Sequence, residues 1–165
     1  MFNTAIGLVQ DHGVAEDIAQ EVFVTVFKSI LSFNERSSMS TWIYRITVNK
    51  CLDHLRARNR QKRNGLSGML FHTESGDPLH DKPTFDHPGI LLEKKEKARY
   101  LFEAIESLPE NKKAVFVLSQ VEELPQKDIA EIMNLSIKAV ESLLQRAKAN
   151  LRKKLEHIYD RRNIK

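Results

Sequence analysis

The chain has few of the residues that cross-link small secreted domains or interrupt helices. Its 165 residues include a single cysteine, Cys51, so no internal disulfide can form and a reducing cytosol is the expected compartment. No apolar run approaches the ~20 residues of a membrane span, and the first residues lack the pattern of a secretory signal. We therefore expect a cytoplasmic protein without membrane insertion.

Glycine and proline are also scarce, and most of them fall in one stretch. Four of the 6 Gly and three of the 5 Pro lie between residues 64 and 90. This stretch lacks hydrophobic periodicity, and breakers without periodicity predict a loop. We expect two small helical domains, residues 1–63 and 91–160, joined by a flexible linker, residues 64–90. As a coil, that linker would average about 30 Å from end to end.

Recognised catalytic patterns are missing as well. The sequence has no Gly-rich phosphate loop, no paired-carboxylate arrangement and no metal-ligand spacing. We therefore expect no catalytic residues, no metal and no cofactor, and a binding protein is favoured over an enzyme.

Positive charge is modest in total but concentrated in two places. The net charge is +4, yet residues 56–63 hold five basic groups and no acid. Residues 138–154 hold six basic groups against Glu141 alone. Two basic patches indicate two contacts with a polyanion, although each could also be a solvated helix end that complements the helix dipole.

The second basic patch belongs to a predicted helix-turn-helix, residues 124–151. Ala130 is small enough for a close helix crossing, Asn134 tolerates the left-handed turn conformation, and Ser136 is a suitable N-cap. The second helix, starting near Ile137, would enter the DNA major groove with the side chains of its first turns. Those candidates are Lys138, Glu141, Ser142, Gln145 and Arg146, with Lys148 placed for the phosphate backbone.

An amphipathic helix of about five turns is predicted near the N-terminus. Apolar residues recur at every fourth position along one side of this helix: Val14, Ile18, Val22, Val26 and Ile30. Ala19, Phe23 and Phe27 widen this apolar stripe. The opposite side carries a compact acidic face made of Glu16, Asp17, Gln20 and Glu21. Acids near a helix N-terminus often only complement the dipole.

A polar loop, residues 32–40, leads into a second long helix predicted from Thr41 to about Asn59. One side of this helix carries a row of hydrogen-bonding groups, Arg45, Asn49, Asp53 and Arg56, which either contact a groove or pair locally. Trp42, which opens the helix, is expected in the core. The loop offers Asn34, Arg36 and Ser37 as groups that could hold an extruded base.

Two segments resemble the extracytoplasmic-function (ECF) group of bacterial sigma factors, in the sigma-70 family. Residues 15–63 resemble sigma region two, above all in EDIAQEVF, STWIYRI and VNKCLDHLR, and residues 106–155 resemble region four. The two segments cover about two thirds of the chain in the order of the family. Relatives usually begin further upstream, so we expect region two to be N-terminally short here.

The resemblance implies a subunit that binds core RNA polymerase and directs promoter recognition and transcription initiation. In the family the acidic helix docks on the polymerase clamp, which assigns that contact to Asp17, Gln20 and Glu21. The minus-ten promoter element would be read by Asn34, Arg36, Ser37, Asn49, Lys50, Asp53 and Arg56. The minus-thirty-five element would be read by the recognition-helix residues named above. An anti-sigma factor is a further possible partner.

Two other interpretations of the sequence stay open. One is a stand-alone helix-turn-helix repressor or activator that binds duplex operators, and the other is a helical protein-interaction module with basic ends.

In region four, Ala139 and Leu143 replace residue types common in the family, so promoter specificity does not transfer from relatives.

Overall fold

The computed structural model describes residues 1–34, 37–69 and 92–163, and all regular structure within these ranges is helical. Three α-helices precede residue 70: α1 (Phe2–Val9), α2 (His12–Ser29) and α3 (Met39–Met69), with a short 3-10 turn at Ile30–Ser32. Four follow residue 91: α4 (Leu92–Glu106), α5 (Glu110–Gln120), α6 (Gln126–Met133) and α7 (Ile137–Asn163). The predicted all-α class is confirmed. We call α1–α3 the region-two helices and α4–α7 the region-four helices.

Helix α2 has the five turns that its sequence predicts. Asp11 is its N-cap, and the Asp11 carboxylate accepts a hydrogen bond from the Val14 backbone N–H at 2.9 Å. Ile18 and Val22 of the predicted stripe are buried. The N-cap and this stripe fix the rotation of α2, and therefore which of its side chains face outward.

Helix α3 is longer than predicted. It continues past Asn59 to Met69, so residues 64–69 of the predicted linker are helical. Extending an existing helix needs no new nucleus, and Gly65 and Gly68 each cost only about 1 kcal/mol relative to alanine. The remaining linker residues lie outside the described ranges.

One hydrophobic core joins the two sets of helices. It contains Leu8, Val22 and Val48 from the region-two helices together with Leu118 and Ile129 from the region-four helices. A smaller cluster, formed by Ala104, Ile105, Leu108, Ala147 and Leu151, packs α4 against α7. In this structure the two sets of helices contact each other, because α1 packs on α5 and α3 packs on α6.

Candidate nucleic-acid interface

The helix-turn-helix has the predicted local geometry. Asn134 ends α6 in the left-handed conformation, with φ 52° and ψ 49°. Two residues on, the Ser136 hydroxyl accepts a hydrogen bond from the Ala139 N–H at 3.2 Å and caps α7. Ala130 is buried at the crossing of the two helices. The turn is therefore built from the residues that the sequence indicates.

The predicted reading face of α7 is open to solvent. Val140 and Ala147 are fully buried and anchor the helix on its inner side. The outer side presents five exposed side chains and one half-buried hydroxyl: Lys138, Glu141, Gln145, Arg146 and Lys148, with Ser142. Arg152, Lys153 and Lys154 continue the exposed face toward the C-terminus. Packing of α6 on α3, and of α7 on α4, α5 and α6, therefore leaves the candidate DNA-reading residues accessible.

The predicted polar row on α3 is only partly formed. Asn49, Asp53 and Arg56 are exposed, and Arg56 donates to Asp53 at 3.1 Å. Arg45 departs from the row because its guanidinium Nη2 donates to the backbone carbonyl of Glu131 in α6, at 2.8 Å. The outward face of α3 therefore begins at Asn49, and Arg45 faces the region-four helices.

A cleft of about 500 Å³ lies beside the polar loop. Phe33 and Trp42 form one wall, with ring centroids 5.1 Å apart. Trp42 is half-buried at this cleft and not in the core as predicted. Asn34 and Ser37 also line the cleft, whereas the prediction for Arg36 lies outside the described residues. Aromatic rings beside polar side chains could stack on and hydrogen-bond an unpaired base.

The acidic face of α2 is exposed but not isolated. Asp17, Gln20 and Glu21 all face solvent, and with Lys50 they line a shallow groove. The Glu21 carboxylate forms an ion pair with the Lys50 ammonium at 2.9 Å. Two residues assigned by resemblance to different partners therefore contact each other.

Exposed aromatic side chains on α2 are a surface feature that the sequence analysis missed. Phe23 is 64% exposed and Phe27 is 74% exposed, so their assignment to the apolar core was wrong. Leu31, just beyond α2, is 99% exposed. At 100° per residue, Phe23 and Phe27 fall on the same side as Gln20, outside the Ile18–Val22 stripe. A helical wheel based only on the residues at four-residue spacing would have placed Phe23 and Phe27 outside the core.

Two titratable groups have raised pKa values in this part of the fold. Burial raises the pKa of Tyr44 to about 12, and the hydrogen bond and negative charge of Glu122 add to the effect. Burial also raises the pKa of the Cys51 thiol to about 12. Both groups are therefore neutral near pH 7.

Within residues 1–34, 37–69 and 92–163, no three His, Cys, Asp or Glu side chains are grouped to hold a metal ion. None of the described helices is long and apolar enough to cross a membrane.

Both halves of the chain match known protein families. Residues 1–61 match the family "Sigma-70 region 2", and residues 98–151 match "Sigma-70, region 4". An ECF RNA polymerase sigma-E factor from Haemophilus influenzae is 34% identical over 142 residues, which cover 85% of this chain and 74% of that protein. The ECF sigma factor SigW of Bacillus subtilis is 32% identical over 148 residues, covering 87% and 76%.

A solved structure has the same fold. The sigma factor RpoE from Bartonella quintana, in complex with the anti-sigma factor NepR, superposes with a TM-score of 0.68 and 21% identity. The match covers 94% of this chain and 89% of that one. The chain therefore belongs to the ECF group of the sigma-70 family of RNA polymerase sigma factors.

Proposed function

We propose that this sigma factor docks on core RNA polymerase with the outer face of α2 and reads two promoter elements with α3 and α7. Binding of core polymerase and promoter-directed initiation are the function of its family. Different side chains of this chain carry each contact, and the chain itself performs no catalytic step in this scheme. We place its action in the cytoplasm, at nucleoid DNA.

The docking surface combines charge with exposed aromatic area. Asp17 and Glu21 supply negative charge, while Phe23 and Phe27 supply large exposed apolar surfaces on the adjoining side of the helix, next to Gln20. Exposed aromatic residues surrounded by polar groups are typical of protein interfaces, where they act as anchors. A partner with a basic, partly apolar groove matches this surface.

The minus-ten contact is assigned to the outward row of α3 and the adjacent cleft. Asn49, Asp53 and Arg56 can exchange hydrogen bonds with base edges or phosphates. The Trp42–Phe33 wall and the polar loop lie at the N-terminal end of the same helix. An extruded base of the melted strand could stack there while the neighbouring phosphates follow α3.

The minus-thirty-five contact is assigned to the exposed side of α7. We assign base reading to Gln145 and Arg146 and phosphate binding to Lys148, because all three side chains are exposed on this helix. Each well-formed base contact is worth about 1–3 kcal/mol of discrimination. The basic residues further along the helix add affinity that depends on salt and not on sequence.

An anti-sigma protein is the proposed negative regulator. The Bartonella quintana sigma factor was solved with an anti-sigma factor, and its fold matches this chain over both regions. A partner that covers the outer face of α2 would compete directly with core polymerase.

The single observation that carries the proposal is the solvent exposure of the three sets of side chains on α2, α3 and α7. The test is run-off transcription by core polymerase from a library of promoters. It compares the wild-type factor with the Arg146→Ala variant. Wild type should yield discrete transcripts, and the variant should lose preference for the minus-thirty-five sequence. Lys153→Ala, an exposed change on the same helix, should keep that preference and lower only the salt-dependent affinity. A factor that binds duplex DNA but supports no transcripts would be a stand-alone repressor, and one that does neither would be an interaction module.

A further inference from the structure

The second helix of the helix-turn-helix begins with an apolar side chain that is left in solvent. Ile137, the first residue of α7, is 51% exposed and belongs to neither hydrophobic cluster of the described helices. Four apolar side chains further along α7 are buried: Val140, Leu144, Ala147 and Leu151. Their burial fixes the rotation of the helix and with it the outward position of Ile137.

The neighbouring apolar residue, Leu135, is accounted for by the turn itself. Asn134 ends α6 in the left-handed conformation, and the Leu135 N–H donates to the carbonyl of Ala130 at 2.9 Å. This is a Schellman motif, in which the residue after the left-handed position commonly packs back on the helix. Ile137 lies beyond the Ser136 cap, outside this motif. Since a β-branched residue is also a weak helix former, neither packing nor helix stability explains an isoleucine at this position.

Ile137 adjoins the reading face of α7. At about 100° per residue, its side chain lies about 40° from Glu141 around the helix axis, and Gln145 lies about 40° further on. Residues four apart on a helix are direct neighbours. These three exposed side chains therefore form one row along α7, with the apolar one at its N-terminal end. In a helix-turn-helix, the N-terminal part of the second helix contacts base edges in the major groove.

A lone carboxylate indicates which part of the DNA this row faces. Residues 138–154 hold six basic groups, and Glu141 is the single acid among them. The phosphate backbone would repel a carboxylate held against it, so Glu141 has to lie away from the phosphates when the helix is bound. On the floor of the major groove, the amino group of cytosine can donate to a carboxylate. The neighbouring Ile137 then faces base edges as well.

One base offers an apolar partner in the major groove. Thymine presents its C5 methyl group there, whereas the groove edges of guanine and adenine consist of hydrogen-bonding groups and cytosine presents its amino group. An isoleucine side chain placed on those polar groups would remove their water without replacing the hydrogen bonds. Contact with a thymine methyl instead removes apolar surface of both partners from water, which is favourable.

We infer that Ile137 is a specificity-determining residue that selects thymine at one position of the minus-thirty-five element by contact with its C5 methyl group. The inference rests on the proposed function, which assigns α7 to that element, and adds an apolar contact to the polar ones. Ile137 and Glu141 are about 6 Å apart along the helix axis, and successive base pairs are about 3.4 Å apart, so the selected thymine lies within about two base pairs of the base that Glu141 contacts.

The test uses polymerase holoenzyme assembled with the full chain, on the preferred promoter from the run-off library. Each thymine of the minus-thirty-five element, on either strand, is replaced in turn by uracil, which pairs with adenine in the same way and lacks only the methyl group. At one position, uracil should weaken binding of the wild-type holoenzyme about three- to fourfold in a competition assay. Equal binding at every position would overturn the inference, as would a preferred element without an A·T pair.

The same scan with Ile137→Ala connects the effect to this side chain. The variant should bind the thymine and uracil promoters nearly equally, because the alanine side chain ends at Cβ. Ile137→Val should keep part of the preference, since it keeps the branch at Cβ. Val121→Ala is the matched control and should keep the full preference, because Val121 is also 51% exposed but follows α5. A full thymine preference in Ile137→Ala would overturn the assignment.

A further comparison leaves the protein unchanged. Cytosine in place of the selected thymine should weaken binding, and 5-methylcytosine should recover about threefold of the loss because it restores a methyl group at the same place in the groove. No recovery would overturn the methyl contact. If Ile137→Ala lost helicity by circular dichroism, Ile137→Val would decide the assignment, and an undiminished preference in that variant would overturn it.

Failure of the inference is distinguishable from failure of the proposed function. A wild-type holoenzyme without any sequence preference at the minus-thirty-five element would defeat both the role of α7 and the role of Ile137. A clear preference that is insensitive to uracil would defeat only the role of Ile137.

Discussion

The exposed aromatic pair on α2 gives the sharpest test of the docking surface. Phe23→Ala with Phe27→Ala removes two rings that lie on the same outward side and are 64% and 74% exposed. With about 200 Å² for each aromatic side chain, the pair exposes roughly 275 Å² of mostly apolar surface. Complete burial of that area would be worth about 7 kcal/mol at about 25 cal/mol per Å².

The measurable loss is smaller than this upper limit. A partner rarely covers both rings completely, and alanine retains part of the contact area, so we expect a loss of about 3 kcal/mol. This corresponds to a Kd for core polymerase on the order of 100-fold weaker. Since the rings contact mainly solvent in the free chain, its thermal unfolding midpoint should shift by only a few degrees.

The assay is fluorescence anisotropy of the labelled factor titrated with core polymerase. Leu101→Ala serves as the control, since Leu101 is also an exposed apolar residue, at 40%, but lies on α4. A change of less than about threefold in the double variant would refute the reasoning, as would an equal loss in the control.

Three further predictions concern single groups. The pKa of Tyr44 is raised from 10.0 to about 12, so the neutral phenol stabilises the fold below pH 10 and this contribution is lost as the pH rises toward 12; the unfolding free energy from urea titration should fall across that window more in wild type than in Tyr44→Phe, which also lacks one late-titrating phenol in the absorbance at 295 nm. Burial and a pKa of about 12 should make the Cys51 thiol unreactive toward a disulfide reagent at pH 8 until the chain is unfolded, and rapid modification of the native chain would contradict this. Asp11→Ala removes the N-cap of α2 and should lower the unfolding free energy by about 1 kcal/mol in urea titration, whereas Asp11→Asn, which keeps a capping oxygen, should lose less.

Local sequence signals predicted the local structure well. The four-residue stripe of Ile18 and Val22, the left-handed Asn134 and the Ser136 cap each depend on neighbours within one or two helical turns. Such contacts can be read from residue type and spacing, because helical periodicity and capping preferences act over that range.

Contacts between distant parts of the chain could not be read in this way. Arg45 looks like a member of a DNA-facing row because its spacing is correct, yet its partner is a backbone carbonyl 86 residues away. The Glu122 carboxylate likewise accepts hydrogen bonds from the hydroxyls of Thr4 and Tyr44, which lie 118 and 78 positions earlier in the chain. A carbonyl acceptor leaves no trace in residue type, and helical periodicity says nothing about which helix lies opposite.

The Glu21–Lys50 ion pair gives the proposed surfaces a thermodynamic connection. If a DNA phosphate takes the Lys50 ammonium, the Glu21 carboxylate loses its intramolecular counter-ion and becomes available to a cationic group of the polymerase. The reverse exchange holds when polymerase arrives first, and linkage requires the two effects to be equal in size. A chain with this pair should therefore favour ternary assembly over either binary complex, and a Lys50→Met substitution should uncouple the two affinities.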